Sequence, residues 1–444
     1  MTKDMTVGSP MRLVVSFAIP LMFGNLFQQF YSMVDTVIVG RFLGTGPLAA
    51  VGSTGSVNFL ILGFCLGVCA GFAIPVSQSF GSKDERELKR YVGNIVWLAA
   101  VFSVLFAVVT VALCRPILEW MDTPADIIDD AYNYIVVIFL GIPVTVLYNT
   151  LASLLRALGD SRTPVVFLVM ASVLNIGLDL FLILVIPMGV AGAAWATVIS
   201  QALSGVACLV FIWKRFPLLH LSRDDLRPRL DHMARLLGMG LPMGLQLSIT
   251  AIGSILLQTS VNGLGSVVVA SVTASNMGNF VYQAMNTFQQ AITCFAGQNI
   301  GAKKPDRLGP GVRSGMVIGS VYSLLALAVV LLFGRTMMLL FVDASETEII
   351  RQAYQFLVIQ AAFFIPLAGV NVFRLFIQGM GYSKVAMFAG CFEMVARGVF
   401  GLFLVPKFGF LLACFASPCA WILADAFLVP TFFKVLRHAK RFET

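Results

Sequence analysis

Long apolar runs recur along the whole chain, separated by short stretches that hold most of its charges. Each run has roughly 20 residues or more, enough for a helix to cross the ~30 Å hydrocarbon core of a bilayer. Gly and Pro inside several runs are compatible with this, because neighbouring helices can satisfy the backbone groups they free. The pattern predicts an all-α polytopic membrane protein with twelve transmembrane helices, at about residues 13–38, 48–76, 91–114, 131–155, 163–187, 190–213, 232–260, 266–296, 314–342, 352–376, 385–405 and 410–433.

The two halves of the chain match each other weakly at an offset of 219–222 residues. "QSFGSK" at 78–83 corresponds to "QNIGAK" at 298–303. Other matches in the same order pair Pro20 with Pro242, Asn149 with Asn371, Gly159 with Gly381, and Pro187 with Pro406. They indicate duplication of a six-helix unit, and both copies keep one orientation because six is even. We expect two pseudo-symmetric six-helix lobes in a parallel repeat, residues 1–213 and 236–444, joined by a cytoplasmic linker at 214–235.

The composition supports a membrane protein and the charges give its orientation. Hydrophobic residues make up 58% of the chain and charged residues only 12%, against about 25% charged in soluble proteins. The net charge of +8 lies mostly on one predicted side, which follows the positive-inside rule and argues against nucleic-acid binding. We expect a multi-pass protein of the inner (plasma) membrane, with both termini cytoplasmic and its basic segments in contact with anionic membrane lipid.

Several functional classes lack their motifs. The sequence contains no GxxxxGK[ST] phosphate loop and no HExxH, and all three His lie in predicted cytoplasmic segments. Its eight Cys fall within or beside predicted spans and form no CxxC pair. No extramembrane stretch is long enough for an ATPase domain. We therefore expect no enzymatic activity and no cofactor, and any uphill transport must be driven by an ion gradient.

Charged side chains inside the predicted spans are candidates for function, because burying a charge in hydrocarbon is costly. Asp179 shares a helical face with Asn175, four residues earlier. With Asp35 and Thr197 they would supply two carboxylates, an amide oxygen and a hydroxyl, which suit a hard monovalent cation such as Na⁺. The carboxylates could instead hold a proton, since two close carboxylates in low dielectric cannot both ionise cheaply. The alternative to ion binding is a structural role, in which these side chains form hydrogen bonds that hold the helices together.

The second half carries its own charges in the predicted spans. Glu393 and Arg397 are four residues apart and suit an ion pair on one helix. Such a pair is more often structural than coupling. Asp425 has no obvious partner in the sequence. These three residues are a possible polar site of the second lobe, with a coupling role and a structural role both open.

The eighth predicted span is rich in amides at helical spacing, which places them on one stripe of the helix. A polar stripe cannot face lipid, so it is expected either to line a wet substrate cavity or to pack through interhelical hydrogen bonds. Its residues are Asn276, Asn279, Gln283, Asn286 and Gln290.

Taken together, these features resemble the multidrug and toxic compound extrusion (MATE) family, of prokaryotic type, over essentially the full length. The resemblance rests on the duplication, on "IPLMFGNLFQQFYSMVDTVIVG" in the first span, on the "QSFGSKD" and "QNIGAKK" turns, on "RALGDSRTP", and on "NIGLD". It implies two lobes that alternate between V-shaped inward-open and outward-open states. It also implies export of organic cations against entry of Na⁺ or H⁺.

The resemblance also assigns residues. Family members with a cation site in the first lobe use carboxylates on the first and fifth helices, an Asn and a Thr; the matching positions here are Asp35, Asp179, Asn175 and Thr197. Pro20 matches the bending proline of the first helix. Gln28, Tyr134 and Asn149 match polar positions of the substrate cavity. Some members carry an acidic residue eight positions after the proline of the seventh helix, where this chain has Thr250.

The predicted function is cation-coupled antiport, with Na⁺ or H⁺ as the coupling ion, that exports organic, mostly cationic amphiphilic drugs or metabolites by alternating access. The protein is expected to act as a monomer. The alternatives are a flippase for lipid-linked oligosaccharides from the same superfamily and a passive channel. Such flippases often line their cavity with several arginines, whereas only Arg397 is deep in the predicted spans.

Overall fold

A computed structural model describes residues 2–121, 123–275, 278–339 and 345–441, and every regular element within them is helical. Two short π-helical turns interrupt the series, at Phe181–Val185 and Phe400–Leu404. The α-helices are α1 Pro10–Phe42, α2 Thr45–Ser53, α3 Gly55–Gly81, α4 Glu85–Trp120, α5 Ile128–Leu140, α6 Ile142–Ala157, α7 Arg162–Leu180, α8 Val190–Arg215, α9 Leu230–Asn262, α10 Ser266–Ser275, α11 Gly278–Gly301, α12 Leu308–Met338, α13 Thr347–Ala362, α14 Phe364–Gly379, α15 Ser383–Val399, α16 Val405–Phe408 and α17 Phe410–Arg441.

The helices are those of a multi-pass membrane protein. Within the described residues, nine helices are long and apolar enough to span a bilayer, and the bent pairs α5–α6 (47°) and α13–α14 (46°) raise the number to eleven. The remaining predicted span, at 266–296, falls on α10 and α11, on either side of positions 276–277, which lie outside the described residues. The all-α polytopic class is confirmed.

The backbone repeats itself between the two halves, as the sequence offset predicts. The bent pair α5–α6 recurs as α13–α14, and each half has one π-helical turn shortly before its last long helix. Lys83 and Lys303, which end the two matching Gln-to-Lys motifs, both adopt positive φ values, 58° and 53°. A positive φ is uncommon for a residue with a Cβ, so its recurrence at equivalent positions reflects a duplicated turn.

The chain forms two compact units, and the boundaries between them fall within the first long helix of each half. One unit contains Ile19–Gly244 with the residues before Met5, and the other contains Met5–Ala18 and Leu245–Thr444. The limits fall inside α1 and α9, within a few residues of Pro20 and Pro242. A proline removes one helical hydrogen bond and allows bending at both positions, and the hinge role expected of Pro20 stays a prediction. The domain bounds expected from the sequence stay a prediction.

Within the first unit, α3 meets the start of α9 through glycines on both helices. A Cβ on Gly71 would lie 2.5 Å from the Cα of Gly240, and one on Gly67 would lie 2.5 Å from the carbonyl oxygen of Met243. On the other helix, a Cβ on Gly244 would lie 2.8 Å from the carbonyl oxygen of Phe64. Small residues four positions apart allow two membrane helices to touch backbone to backbone. This contact holds α9 against the first unit up to the limit at Gly244.

The segment between α8 and α9 also packs against the first unit. The Trp97 indole donates to the carbonyl oxygen of Leu226 (2.8 Å), and the Arg229 backbone N–H donates to Asn94 Oδ1 (2.8 Å). Within the segment, the Ser222 backbone N–H and hydroxyl both donate to Asp225 Oδ2, at 2.8 and 2.6 Å. Burial alone would raise the pKa of Asp225, but these hydrogen bonds and the nearby cations Lys89 and Arg90 together outweigh it and lower the pKa. The carboxylate therefore stabilises the turn at neutral pH, and this contribution is lost as the pH falls through the lowered pKa.

Replacing Asp225 with Ala should open this turn. Losing its hydrogen bonds costs about 1 kcal/mol, which corresponds to roughly a fivefold rise in the open population. Trypsin cleavage after Arg223 and Arg229 should accelerate by about that factor, because proteolysis tracks the open fraction. Asp224→Ala is the matched control, since Asp224 makes only exposed ion pairs with Arg227 and Arg229, which contribute little. Equal acceleration in both variants would contradict a specific role for Asp225.

In the second unit, the matching Gln motif binds the N-terminal segment. The Met5 backbone N–H donates to Gln298 Oε1 (2.8 Å), and Asn299 Nδ2 donates to the Met5 carbonyl (3.1 Å). The Arg307 guanidinium donates to the Gly8 carbonyl (2.7 Å). In the first unit, Gln78 accepts from Arg235 of α9 (2.7 Å). Each repeated glutamine thus binds a residue near the start of the first helix of the opposite half, Met5 before α1 or Arg235 within α9.

Candidate functional site

The first unit gathers the four residues predicted as a cation-coupling site. Asp35 lies in the second half of α1, Asn175 and Asp179 lie one turn apart near the end of α7, and Thr197 lies on α8. A π-helical turn begins at Phe181, directly after α7. Such turns widen the helix locally and are frequent at functional sites. The turn therefore begins two residues after Asp179.

The two carboxyl groups are in direct contact. Asp35 and Asp179 lie within hydrogen-bonding distance of each other. Asp179 is fully buried, and the Oδ1 atoms of both residues accept no hydrogen bond from the described residues. Two carboxylates this close cannot both stay charged at low cost, so the pair requires a proton or a cation between them.

Asn175 connects this pair to α8. With its amide oriented to satisfy both neighbours, Asn175 Nδ2 donates to Asp179 Oδ2 (3.3 Å), and its Oδ1 accepts from the Thr197 hydroxyl (3.3 Å) and backbone N–H (3.2 Å). Such an amide assignment follows from the hydrogen-bond network. Asn175 is 2% exposed. The amide therefore fixes the position of Asp179 relative to α8 and supplies a donor to its carboxylate.

Two tyrosines complete the surroundings of the acidic pair. The phenols of Tyr31 and Tyr134 both interact electrostatically with Asp35 and Asp179. Tyr134 was expected from the sequence, whereas Tyr31 was missed. Its signal was available, because Tyr31 precedes Asp35 by four residues and shares its face of α1. No basic side chain contributes to the interactions of Asp179 among the described residues.

The other expected cavity residues are placed less directly. Gln28 is exposed on α1, and Asn149 is half-buried on α6, where its Nδ2 donates to the carbonyl of Thr145 (2.8 Å). The predicted hinge Pro20 lies two residues past the limit between the units. Asn276 lies outside the described residues, as do the side chains of Asn279, Gln283 and Asn286, whose backbone belongs to α11.

The second unit contains a buried charged cluster that the sequence showed only in part. Glu393 contacts Arg374 through Oε1 and Arg397 through Oε2, the latter at 3.4 Å. Asp425 on α17 interacts electrostatically with Arg374 and Glu393. The expectation that only Arg397 lies deep was wrong, because Arg374 on α14 is equally buried. It was missed because it falls at the end of the predicted span 352–376.

The second unit does not reproduce the acidic pair of the first. At Thr250, the hydroxyl donates to the carbonyl of Gln246 (3.0 Å), as is ordinary for a threonine in a helix. Among the described residues, no group of three or more His, Cys, Asp or Glu side chains is placed to hold a metal ion. The coupling role expected of Asp35, Asn175, Asp179 and Thr197 stays a prediction.

Comparison with known families accounts for both halves of the chain. The MatE family model matches twice, at residues 20–181 and 242–403. The chain belongs to the MatE family. The two matches confirm the duplication, and they include every residue of the first-unit site except Thr197, which follows the first match.

Curated MatE relatives are described as multidrug resistance proteins. The chain is 30% identical over 354 residues to the probable multidrug resistance protein YoeA of Bacillus subtilis (strain 168), covering 78% of this chain and 76% of the relative. It is 32% identical over 369 residues to the probable multidrug resistance protein YpnP of the same strain, covering 83% and 82%. The protein is thus a member of a family of multidrug efflux transporters.

Solved structures support the fold of this MatE protein. The structure of a multidrug resistance MATE family transporter of the MOP superfamily, in its outward-facing conformation, matches with a TM-score of 0.91. It covers 99% of each chain at 21% sequence identity. At this identity the likeness shows the fold alone.

Proposed function

We propose that this MatE protein is a cation-coupled antiporter that exports organic, mostly cationic amphiphilic drugs or metabolites. The observation that carries the proposal is the buried contact between Asp35 and Asp179, which lacks a basic partner among the described residues. A carboxyl pair in low dielectric must be neutralised by something that binds. A proton, Na⁺ or the cationic part of a substrate each meets this need, so these ligands compete for one site.

Competition at one site produces exchange. When a coupling ion enters from outside, it neutralises Asp35 and Asp179 and removes the attraction for a cationic substrate. The same event changes the charge next to α1, whose hinge at Pro20 lies four helical turns from Asp35. Ion binding drives the change of state only through its different affinity for the two states. Release of the ion inside restores the negative charge and readies the site for the next substrate.

The geometry suits either coupling ion. A hydrogen bond between two carboxyl groups requires one of them to be protonated, so the Asp35–Asp179 pair can hold the single proton that H⁺ coupling needs. For Na⁺, the unpartnered Oδ1 atoms of both residues are oxygen ligands of the right type. The Asn175 amide oxygen and the Thr197 hydroxyl, now bonded to each other, would turn toward the ion. Thr197 therefore distinguishes the two modes, because its hydroxyl can bind Na⁺ but is not needed to carry a proton.

The charge distribution along the chain also gives the orientation of the protein in the membrane. We place the protein in the inner (plasma) membrane with cytoplasmic termini, because its basic residues concentrate on one side of the predicted spans. We also propose that it acts as a monomer. Its functional lobes are residues 1–213 and 236–444 with the linker 214–235 between them. Transport needs no enzymatic step and no bound cofactor. Membrane lipid and small organic cations are the expected partners, and nucleic acid is not.

Transport by purified protein in liposomes, with ΔpH and ΔNa⁺ imposed separately, tests the proposal. A fluorescent organic cation should move against whichever gradient is the coupling one. Thr197→Val should lower Na⁺-driven transport by about tenfold and leave H⁺-driven transport within about twofold, since a lost ligand weakens the ion's coupling free energy. Transport that ignores both gradients, or conductance without counter-movement, would overturn antiport in favour of a passive channel.

A further inference from the structure

The second unit binds a short stretch of chain that precedes α1. Residues 5–8 form no helix, yet Met5 is fully buried and Thr6 is only 4% exposed. Buried backbone outside regular structure needs hydrogen-bond partners from other parts of the chain. Within the same segment, Val7 is 65% exposed. The segment therefore lies at the surface with part of it covered, as a bound peptide does.

Side chains at the end of α11 and in the turn after it supply these partners. The Lys304 ammonium donates to the carbonyl of Thr6 (3.1 Å), between the contacts that Met5 and Gly8 make with the same region. Hydrogen bonds with a charged donor are stronger than neutral ones. These contacts are made to the backbone of residues 5–8, so they do not depend on the side chains there. The four residues that make them are Gln298, Asn299, Lys304 and Arg307.

The inner part of this region is held in place by its own hydrogen bonds. Gln298 and Asn299 are both 0% exposed. Gln298 Nε2 donates to Cys294 Sγ (3.4 Å), which leaves Gln298 Oε1 for the backbone N–H of Met5. Asn299 Oδ1 accepts from Arg307 Nε (2.8 Å), while Asn299 Nδ2 donates to the Met5 carbonyl. Partners that are fixed before binding lower the entropic cost of a complex, so this region has the features of a preformed site.

The equivalent turn of the first unit lacks the two charged donors. At an offset of 220 residues, Lys304 corresponds to Asp84. At the same offset, Arg307 corresponds to Glu87. An ionised carboxylate cannot donate to a carbonyl oxygen, and Asp84 instead caps α4 by accepting from the Glu87 backbone N–H (2.9 Å). The fold of the turn does not require the donors, which points to a purpose specific to the second unit.

Gly8 gives the bound segment its shape. Its φ is 99°, in the region that residues with a Cβ rarely adopt. Nothing lies within 4 Å of the place a Cβ would occupy, so the requirement concerns conformation and not space. In this conformation the Gly8 carbonyl accepts from the Arg307 guanidinium (2.7 Å). A glycine at this position is therefore part of what the region recognises.

We propose that residues 298–307 form a peptide-binding site, which residues 5–8 occupy as an intramolecular ligand and which a separate peptide of the same sequence can enter. The site recognises the backbone of a short peptide that has a buried apolar side chain, here Met5, and a glycine three positions later. While they are bound, residues 5–8 hold the start of α1 on the second unit. This role goes beyond export and does not depend on it.

A labelled peptide tests the proposal on the full-length protein. The peptide carries residues 2–12 with fluorescein at its C-terminus, and its binding to purified protein in detergent is measured by fluorescence polarisation. In the wild type, the tethered residues 5–8 compete with the peptide at a high effective concentration. Gly8→Ala in the protein should weaken this competitor, because a Cβ disfavours positive φ, so the peptide should bind about tenfold more tightly than to the wild type. Equal binding to both proteins would overturn the proposal.

Changes in the peptide test the same contacts without altering the protein further. With the Gly8→Ala protein, a peptide that itself carries Gly8→Ala should bind about tenfold more weakly than the natural sequence. Val7→Ala in the peptide is the control, since Val7 is 65% exposed, and its affinity should stay within about twofold of the natural peptide's. If a peptide of the same residues in scrambled order binds as tightly as the natural one, binding is non-specific and the proposal fails.

Two neighbouring cations of the turn test where the peptide binds. In the Gly8→Ala background, Arg307→Gln should weaken peptide binding by at least about tenfold, because a charge-assisted hydrogen bond to the Gly8 carbonyl is lost. Lys303→Gln removes the same charge as a comparison, since the Lys303 side chain is exposed and hydrogen-bonds none of the described residues. It should bind the peptide as the background does. Full affinity in Arg307→Gln, or an equal loss in Lys303→Gln, would contradict the assigned site.

Discussion

Ion-driven efflux should fall by about 5- to 150-fold when Asp35 is replaced with Asn, the range expected when a coupling free energy is lost. Asn keeps the size of the side chain and most of its hydrogen bonding but cannot take up or release charge. The side chain at position 35 in contact with Asp179 would then be uncharged at all times. The measurement is the initial rate of dye efflux in vesicles with an imposed ΔpH or ΔNa⁺. Asp179→Asn should have a similar effect.

The double variant gives the sharper test. If Asp35 and Asp179 act as one unit, removing both should cost no more than removing either, because the losses of coupled groups are not additive. Asp126→Asn is the matched control, since Asp126 is exposed in the loop before α5, and it should transport at the wild-type rate. Full ion-driven efflux by the double variant would refute the acidic pair as the coupling site.

Thermal stability should fall when Gly71 is replaced with Ala. The new Cβ would lie 2.5 Å from the Cα of Gly240 and 2.7 Å from the carbonyl oxygen of Met239. Both are backbone atoms, so α3 and α9 must separate to relieve the clash. Overpacking of this kind costs about 1–3 kcal/mol, and we expect the melting temperature in detergent to drop by roughly 5 °C.

Gly309 provides the comparison for this substitution. It lies in α12 with nothing within 4 Å of the place a Cβ would occupy. Gly309→Ala should leave the melting temperature unchanged or raise it slightly, because alanine favours a helix more than glycine does. If Gly71→Ala has the same melting temperature as the wild type, the close approach of α3 and α9 is not a feature of the folded protein.

The helices were predictable because the bilayer demands length and apolarity, which a sequence displays directly. What the sequence did not reveal is how single spans break. Residues 131–155 read as one apolar run, yet the chain bends by 47° between α5 and α6 at Gly141. Hydropathy does not show the direction in which a helix runs. Gly141 and Pro143 permit such a bend, but packing against neighbouring helices decides whether it occurs.

The sequence predicted the kinds of side chain that form the candidate site, but it did not predict all of the residues. Asn175 and Asp179 share a face of one helix, so their proximity follows from spacing alone. The contact with Asp35 on α1 depends on how two distant helices rotate, which a single sequence cannot specify without the family resemblance. Arg374 was missed as a partner of Glu393 because the two lie on different helices, α14 and α15. Tyr31 could have been found, since it lies one helical turn from Asp35 on α1.

The boundaries between the two units fall within α1 and α9, and this has a consequence for assembly. A chain cut between α8 and α9 would give two fragments, each carrying a piece that belongs to its partner's unit. The first fragment would hold Met5–Ala18, and the second would hold the part of α9 that ends at Gly244. Neither fragment could complete its fold alone. Co-expressed fragments should instead rescue each other by complementation, because each supplies the helical segment that the other's unit lacks.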